Sequence, residues 1–108
     1  MRHVIVLALL AGCAPTNYSW TPSSRRVFPE RARECEFEVL ASNPDRPYDE
    51  IGELEHYNGD MQKNLEDFKR TVAEQVCGVG GDGVYVTRDN GGAIAKGTVI
   101  KFTPQPQR

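Results

Sequence analysis

Met61, Leu65, Phe68, Val72 and Val76 recur at spacings of 4, 3, 4 and 4. That period puts all five on one face of a helix, with Glu66, Asp67, Lys69 and Arg70 on the wet side. A helix with one apolar stripe cannot bury it alone, so something flat must cover it. The segments on either side supply strands. Asp60 is positioned to cap the helix by accepting from an orphan N–H, and Gly78 to stop it in a left-handed conformation.

Cys35, Phe37 and Val39 alternate with Glu34, Glu36 and Glu38, which places the first three on the covered face of a strand. Asn43-Pro44-Asp45-Arg46-Pro47 reads as a turn-rich loop, and Ile51 to Tyr57 as a second strand. Val84-Tyr85-Val86-Thr87 and Ala93 to Phe102 follow the helix, joined as a hairpin through Asp89-Asn90-Gly91-Gly92. The expected order is β-β-α-β-β over residues 32–103: an α+β domain with one helix packed on a mostly antiparallel sheet. Residues 104–108, rich in Pro and Gln, read as a disordered tail.

With 108 residues the chain holds one small domain. Thirteen Lys and Arg against fifteen Asp and Glu give a net charge of −2, which excludes a polycation that coats nucleic acid. The apolar inventory is small enough that a covalent staple would matter.

The first residues set the address. Arg2 precedes an apolar run of eight, Val4 to Ala11. About 20 residues are needed to cross a bilayer as a helix, so this run has the length of a signal-peptide core instead. It ends in Leu10-Ala11-Gly12-Cys13. Residues 1–13 resemble the lipobox of bacterial lipoproteins. The resemblance implies a signal peptide over 1–12, a diacylglyceryl group on the Cys13 thiol, cleavage before Cys13, and anchorage through membrane lipid. Ala14 stands where members retained in the inner membrane often carry Asp, so the outer membrane is favoured, with the domain facing the periplasm or exterior. Residues 13–31, with three prolines and many hydroxyl groups, read as a flexible linker reaching on the order of 50 Å. Tyr18 and Trp20 lie in it, either resting at the headgroup level or simply carried along.

Three cysteines is an odd count, and acylation of Cys13 leaves Cys35 and Cys77 as a pair. In an oxidising compartment such a pair is commonly bridged. Cys35 is expected on the covered face and Cys77 at the helix end, so the sulfurs can meet. Two free core thiols, or a redox or metal pair, are the alternatives; neither Cys-x-x-Cys nor four-ligand spacing is present. Arg25, Arg26, Arg31 and Arg33 form a local basic cluster. It is either a contact for anionic lipid, lipopolysaccharide or wall polymer, or a solvated flank.

The remaining constellations do not assemble chemistry. Gly78-Val79-Gly80-Gly81-Asp82-Gly83 follows a helix, whereas phosphate-cradling loops precede one. Glu34, Glu36 and Glu38 share one environment, which is unsuited to an acid–base pair. The serines Ser19, Ser23, Ser24 and Ser42 sit in no nucleophile elbow. His56 reads as a surface or packing residue. No catalytic residue, metal ligand set or cofactor is therefore expected.

Ala73, Gly81-Asp82-Gly83-Val84 and Gly97-Thr98-Val99 give a second resemblance, over about residues 33–102. The pattern is similar to that of the Rcs envelope-stress sensor lipoproteins and related envelope lipoproteins. It implies a lipid-anchored domain that acts through protein contacts, although the sensor's two disulfides exceed the one available here. The expected function is a non-enzymatic envelope lipoprotein that binds a partner protein or cell-wall component in stress sensing or envelope assembly. A structural spacer is the alternative, and a hydrolytic enzyme the remotest.

Overall fold

A computed structural model describes residues 18–23, 27–57 and 60–104. It is an α+β domain: one helix packed against a five-stranded mixed sheet. The strands are β1 (Tyr18–Pro22), β2 (Glu38–Leu40), β3 (Tyr48–His56), β4 (Gly83–Arg88) and β5 (Ile94–Phe102), and the helix α1 spans Leu65–Gly78. The sheet order is β1-β3-β5-β4-β2. All neighbours pair antiparallel except β2, which runs parallel to β4.

β1 departs from the linker reading at residues 18–22, while residues 13–17 and 24–26 lie outside the described residues. Tyr18 to Pro22 pair with His56 to Gly52 along the edge of the sheet. Tyr18 and Trp20 alternate with Ser19 and Thr21, and Pro22 ends the strand at an edge, where a missing donor is tolerated. Tyr18 is 3% exposed. It is therefore a core residue, and the headgroup-level reading does not hold for it.

The register lays out the covered face in rows, because residues directly opposite share a face. One row is Trp20, Leu54, Gly97 and Val86; the next is Pro22, Gly52, Val99, Val84 and Val39. Phe68, Val72 and Val76 of α1 close over them, each fully buried. Gly97 is needed there: a Cβ would stand 2.8 Å from Phe68 Cζ. The opposite face carries Thr21, Glu53, Thr98 and Tyr85 in one row. It has its own apolar spot around Ile100, which is fully buried beside Tyr48, Tyr85 and Phe102.

Two boundaries differ from expectation. α1 begins after Asn64, whose side chain accepts from the N–H groups of Glu66 (2.7 Å) and Asp67 (3.2 Å); Asp60 and Met61 precede the helix. The left-handed residue after the helix is Gly80 (φ 82°), while Gly78 is still helical. β2 is also shorter than the alternation suggested, since Glu34 to Phe37 lie outside the ladder.

Candidate functional site

Beyond β1, Ser23 extends the ladder by donating to the Ile51 carbonyl at 2.9 Å. Residues 27–37 have no sheet partners, yet they cross the C-terminal end of α1 along a fixed course. Backbone bonds hold the crossing: Arg31 N–H donates to the Cys77 carbonyl at 2.7 Å. The turn beneath must be glycine, because a Cβ on Gly80 would lie 2.5 Å from the Pro29 oxygen.

Asp82 organises this region. Its Oδ2 accepts from Phe102 N–H at 3.0 Å, and its Oδ1 faces Arg31 Nη1 at 3.3 Å and Lys101 Nζ at 3.5 Å. Arg31 Nη1 also donates to the Gly81 carbonyl at 2.6 Å and Nη2 to the Glu36 carbonyl at 2.9 Å. One guanidinium thus ties three stretches of chain together. The Cys35–Cys77 disulfide lies beside it, closing 42 residues of sequence.

Between the crossing, β1, the bulge of β3 and the helix end lies an apolar groove of about 350 Å³. Trp20, Pro22, Val27, Phe28, Ile51, Gly78 and Val79 line it. Val27 at the rim is 92% exposed. Among the described residues no lining side chain titrates, so these residues offer a ligand apolar surface and no acid, base or nucleophile.

The expected site residues fare differently. Cys35 and Cys77 are bridged. Cys13, Arg25 and Arg26 lie outside the described residues. Arg31 and Arg33 do not form a free basic patch: Arg31 is spent on the bonds above, and exposed Arg33 pairs with Glu74 at 3.0 Å. Of the three aligned glutamates only Glu38 is in a strand, and Glu36 faces Lys69 at 3.7 Å. His56 packs edge-on to Tyr18, with ring centroids 5.8 Å apart. Among the described residues no cluster of three metal-ligating side chains occurs, and no helix is long and apolar enough to cross a membrane.

Sequence reasoning missed Tyr18, Trp20 and Asp82. Tyr18 Oη donates to the Ile94 carbonyl at 2.8 Å and accepts from Gln62 N–H at 3.1 Å. Burial raises its pKa above the ordinary phenol value, offset in part by the Gln62 bond. Tyr85 is likewise raised, chiefly by burial, against a bond from Thr98.

Fold and groove together define a small disulfide-clasped α+β domain with an apolar cleft. No family model, no curated protein and no solved structure matches the chain.

Proposed function

We propose that this chain is a bacterial envelope lipoprotein, acylated at Cys13, whose domain works by contact with a partner protein or cell-wall component rather than by catalysis. The carrying observation is the Leu10-Ala11-Gly12-Cys13 box behind a basic end and a short apolar run. A bridged Cys35–Cys77 pair fits an exported, oxidised domain. What favours contact over chemistry is that Arg31 and Asp82, the charged pair beside the groove, are committed to holding the fold. Ala14 in place of Asp favours the outer membrane.

The test of the anchor is the intact mass of the mature protein, where acyl mass on Cys13 is expected. Cys13→Ala should abolish lipid labelling; anchorage that persists in this variant rejects the lipobox reading. Contact is tested by crosslinking in the envelope. One stoichiometric partner supports binding, and diffuse contacts favour a structural spacer.

A further inference from the structure

The starting point is the position of β1. If residues 13–31 were a linker, the domain would stand far from its anchor. Instead the sheet begins at Tyr18, five residues after Cys13. Five peptide steps span at most roughly 17 Å, less than the thickness of a small domain. A body joined to a surface by so short a link is held against it, at an effective concentration that needs little intrinsic affinity.

The fold then decides which end faces the surface. β1 runs away from Tyr18, and its four steps to Pro22 cover about 13 Å. The Tyr18 end of the sheet also carries the end of β3, the start of β5 and the hairpin Asp89–Gly92. The start of α1 is bound there too, since Gln62 N–H meets Tyr18 Oη and Ile94 N–H meets the Gln62 carbonyl. At this end Tyr57 is one of the exposed large hydrophobic side chains, 57% accessible, and Lys63 is exposed. The Asp82 end, with the disulfide, Arg31 and the groove, lies at the other extreme of the strands.

Resting on the acylation of Cys13, we propose that the domain rides on the bilayer with the end that carries Tyr57 and Lys63 toward the headgroups and its groove turned outward. Tyr57 suits the interface, where an aromatic ring with a polar tip is favoured. Charge is not the cause. Asp60, Asp89 and Glu66 share that end with Lys63 and Arg88, and Arg88 already donates to the Lys63 and Gly92 carbonyls. The short link does the work, so the orientation holds on zwitterionic lipid. The basic stretch at Arg31 and Arg33 then lies away from the membrane.

The experiment uses the acylated mature chain in phosphatidylcholine vesicles, with and without phosphatidylglycerol. A variant carries a twenty-residue Gly-Ser insert between Asn17 and Tyr18. Intact mass confirms the acyl group, and resistance of Cys35 and Cys77 to alkylation confirms folding of both forms. A membrane-impermeant amine reagent then reads Lys63 against Lys101. Lys63 labelling should rise several-fold on insertion, with Lys101 unchanged, in both lipid mixtures. Energy transfer from Trp20, the single tryptophan, to dansyl-labelled headgroups should fall several-fold with the insert. Equal Lys63 labelling in both forms overturns the orientation while leaving the anchor standing. Protection that requires phosphatidylglycerol overturns the link as its cause. A mature protein lacking acyl mass removes the anchor and the orientation together.

Discussion

The two ends of the sheet are held by different chemistry. At the Asp82 end a disulfide, a guanidinium with three acceptors and a partly buried carboxylate converge within a few residues. At the Tyr18 end there is no covalent joint among the described residues: one phenol bridges two backbone groups, the Arg88 guanidinium donates to the Lys63 and Gly92 carbonyls, Tyr18 meets the Phe68 ring at 5.1 Å, and Asn64 caps the helix. The contrast follows from what each end must fix. Residues 27–37 have no ladder to satisfy them, and irregular chain laid over a helix end must be bonded group by group. At the Tyr18 end the strands themselves arrive in register, so the Tyr18 hydroxyl, one backbone bond from Ile94 to Gln62 and the Arg88 guanidinium complete the joint to the helix start.

Removing the covalent joint should have the largest effect. Closing 42 residues is worth about 4 kcal/mol on the chain-entropy model. Replacing both Cys35 and Cys77 by Ser should lower the urea midpoint accordingly; a change under about 1 kcal/mol would show that the non-covalent clasp is sufficient by itself. The same bond should resist reduction in the native state. Cys77 is fully buried while Cys35 is partly accessible, so a dithiol must attack the Cys35 sulfur and expel Cys77 as a thiolate. That thiolate would form beside the helix C-terminus, whose carbonyl dipoles disfavour negative charge. Reduction should therefore accelerate sharply once urea opens the domain.

Next in size is Arg31→Met. It keeps much of the side-chain bulk but strands the Gly81 and Glu36 carbonyls and leaves Asp82 Oδ1 facing Lys101 without the guanidinium. The side chain is about a third exposed, which lets water take over part of the loss, so about 2 kcal/mol is expected. The cost should be unequal across the molecule. Hydrogen exchange should quicken at the amides of residues 31–38 and hardly change at Leu54 or Val86. Uniform acceleration would mean that the two ends do not unfold separately.

This unevenness also explains what could be read from sequence. The helix, β3, β4 and β5 were legible because each has a long apolar period: Leu65, Phe68, Val72 and Val76 in one, Val84 and Val86 in another. The Cys35–Cys77 pairing was legible from the odd cysteine count and the place of Cys77 at the helix end, although Cys35 lies outside the strand expected to carry it. β1 was hidden because Tyr-Ser-Trp-Thr-Pro is short, lies among prolines, and gains its partners only from β3, some thirty residues later. Asp82 was hidden because three of its bonds go to Phe102, Lys101 and Arg31, which no local pattern brings together. The groove combines both kinds of invisibility: Trp20 and Pro22 come from the missed strand, and Val27 and Phe28 from the unladdered crossing. Within the basic stretch Arg31 turns inward and Arg33 outward, a difference that sequence proximity does not reveal.

Tyr18→Phe probes the Tyr18 end and should cost about 1 kcal/mol, the net value of an ordinary hydrogen bond, with the ring packing retained. It also has a pH signature. Burial favours the neutral phenol, so the folded pKa lies above the unfolded value of 10.0. The native state then holds its proton after the unfolded chain has lost it. Stability is unaffected well below pH 10 and falls as the pH rises past 10 toward the folded pKa. Tyr85 shifts in the same direction and contributes to the same decline. Tyr18→Phe should flatten part of the decline and Tyr85→Phe another part. An unchanged alkaline slope in both single variants would contradict burial as its cause.

The smallest effect belongs to Arg33→Ala. Its ion pair with Glu74 leaves both side chains about three-quarters exposed, where water and salt screen most of the attraction. A change of no more than ~0.5 kcal/mol is expected, vanishing at high salt. Arg31 and Arg33 are two residues apart in one basic stretch, yet their removal should differ several-fold in cost. That gap is the sharpest form of the contrast, because it compares the same side chain turned into the clasp and turned out to solvent. A measured cost for Arg33 equal to that for Arg31 would mean that the stretch acts through its total charge, and that the individual bonds at the Asp82 end matter less than their geometry suggests.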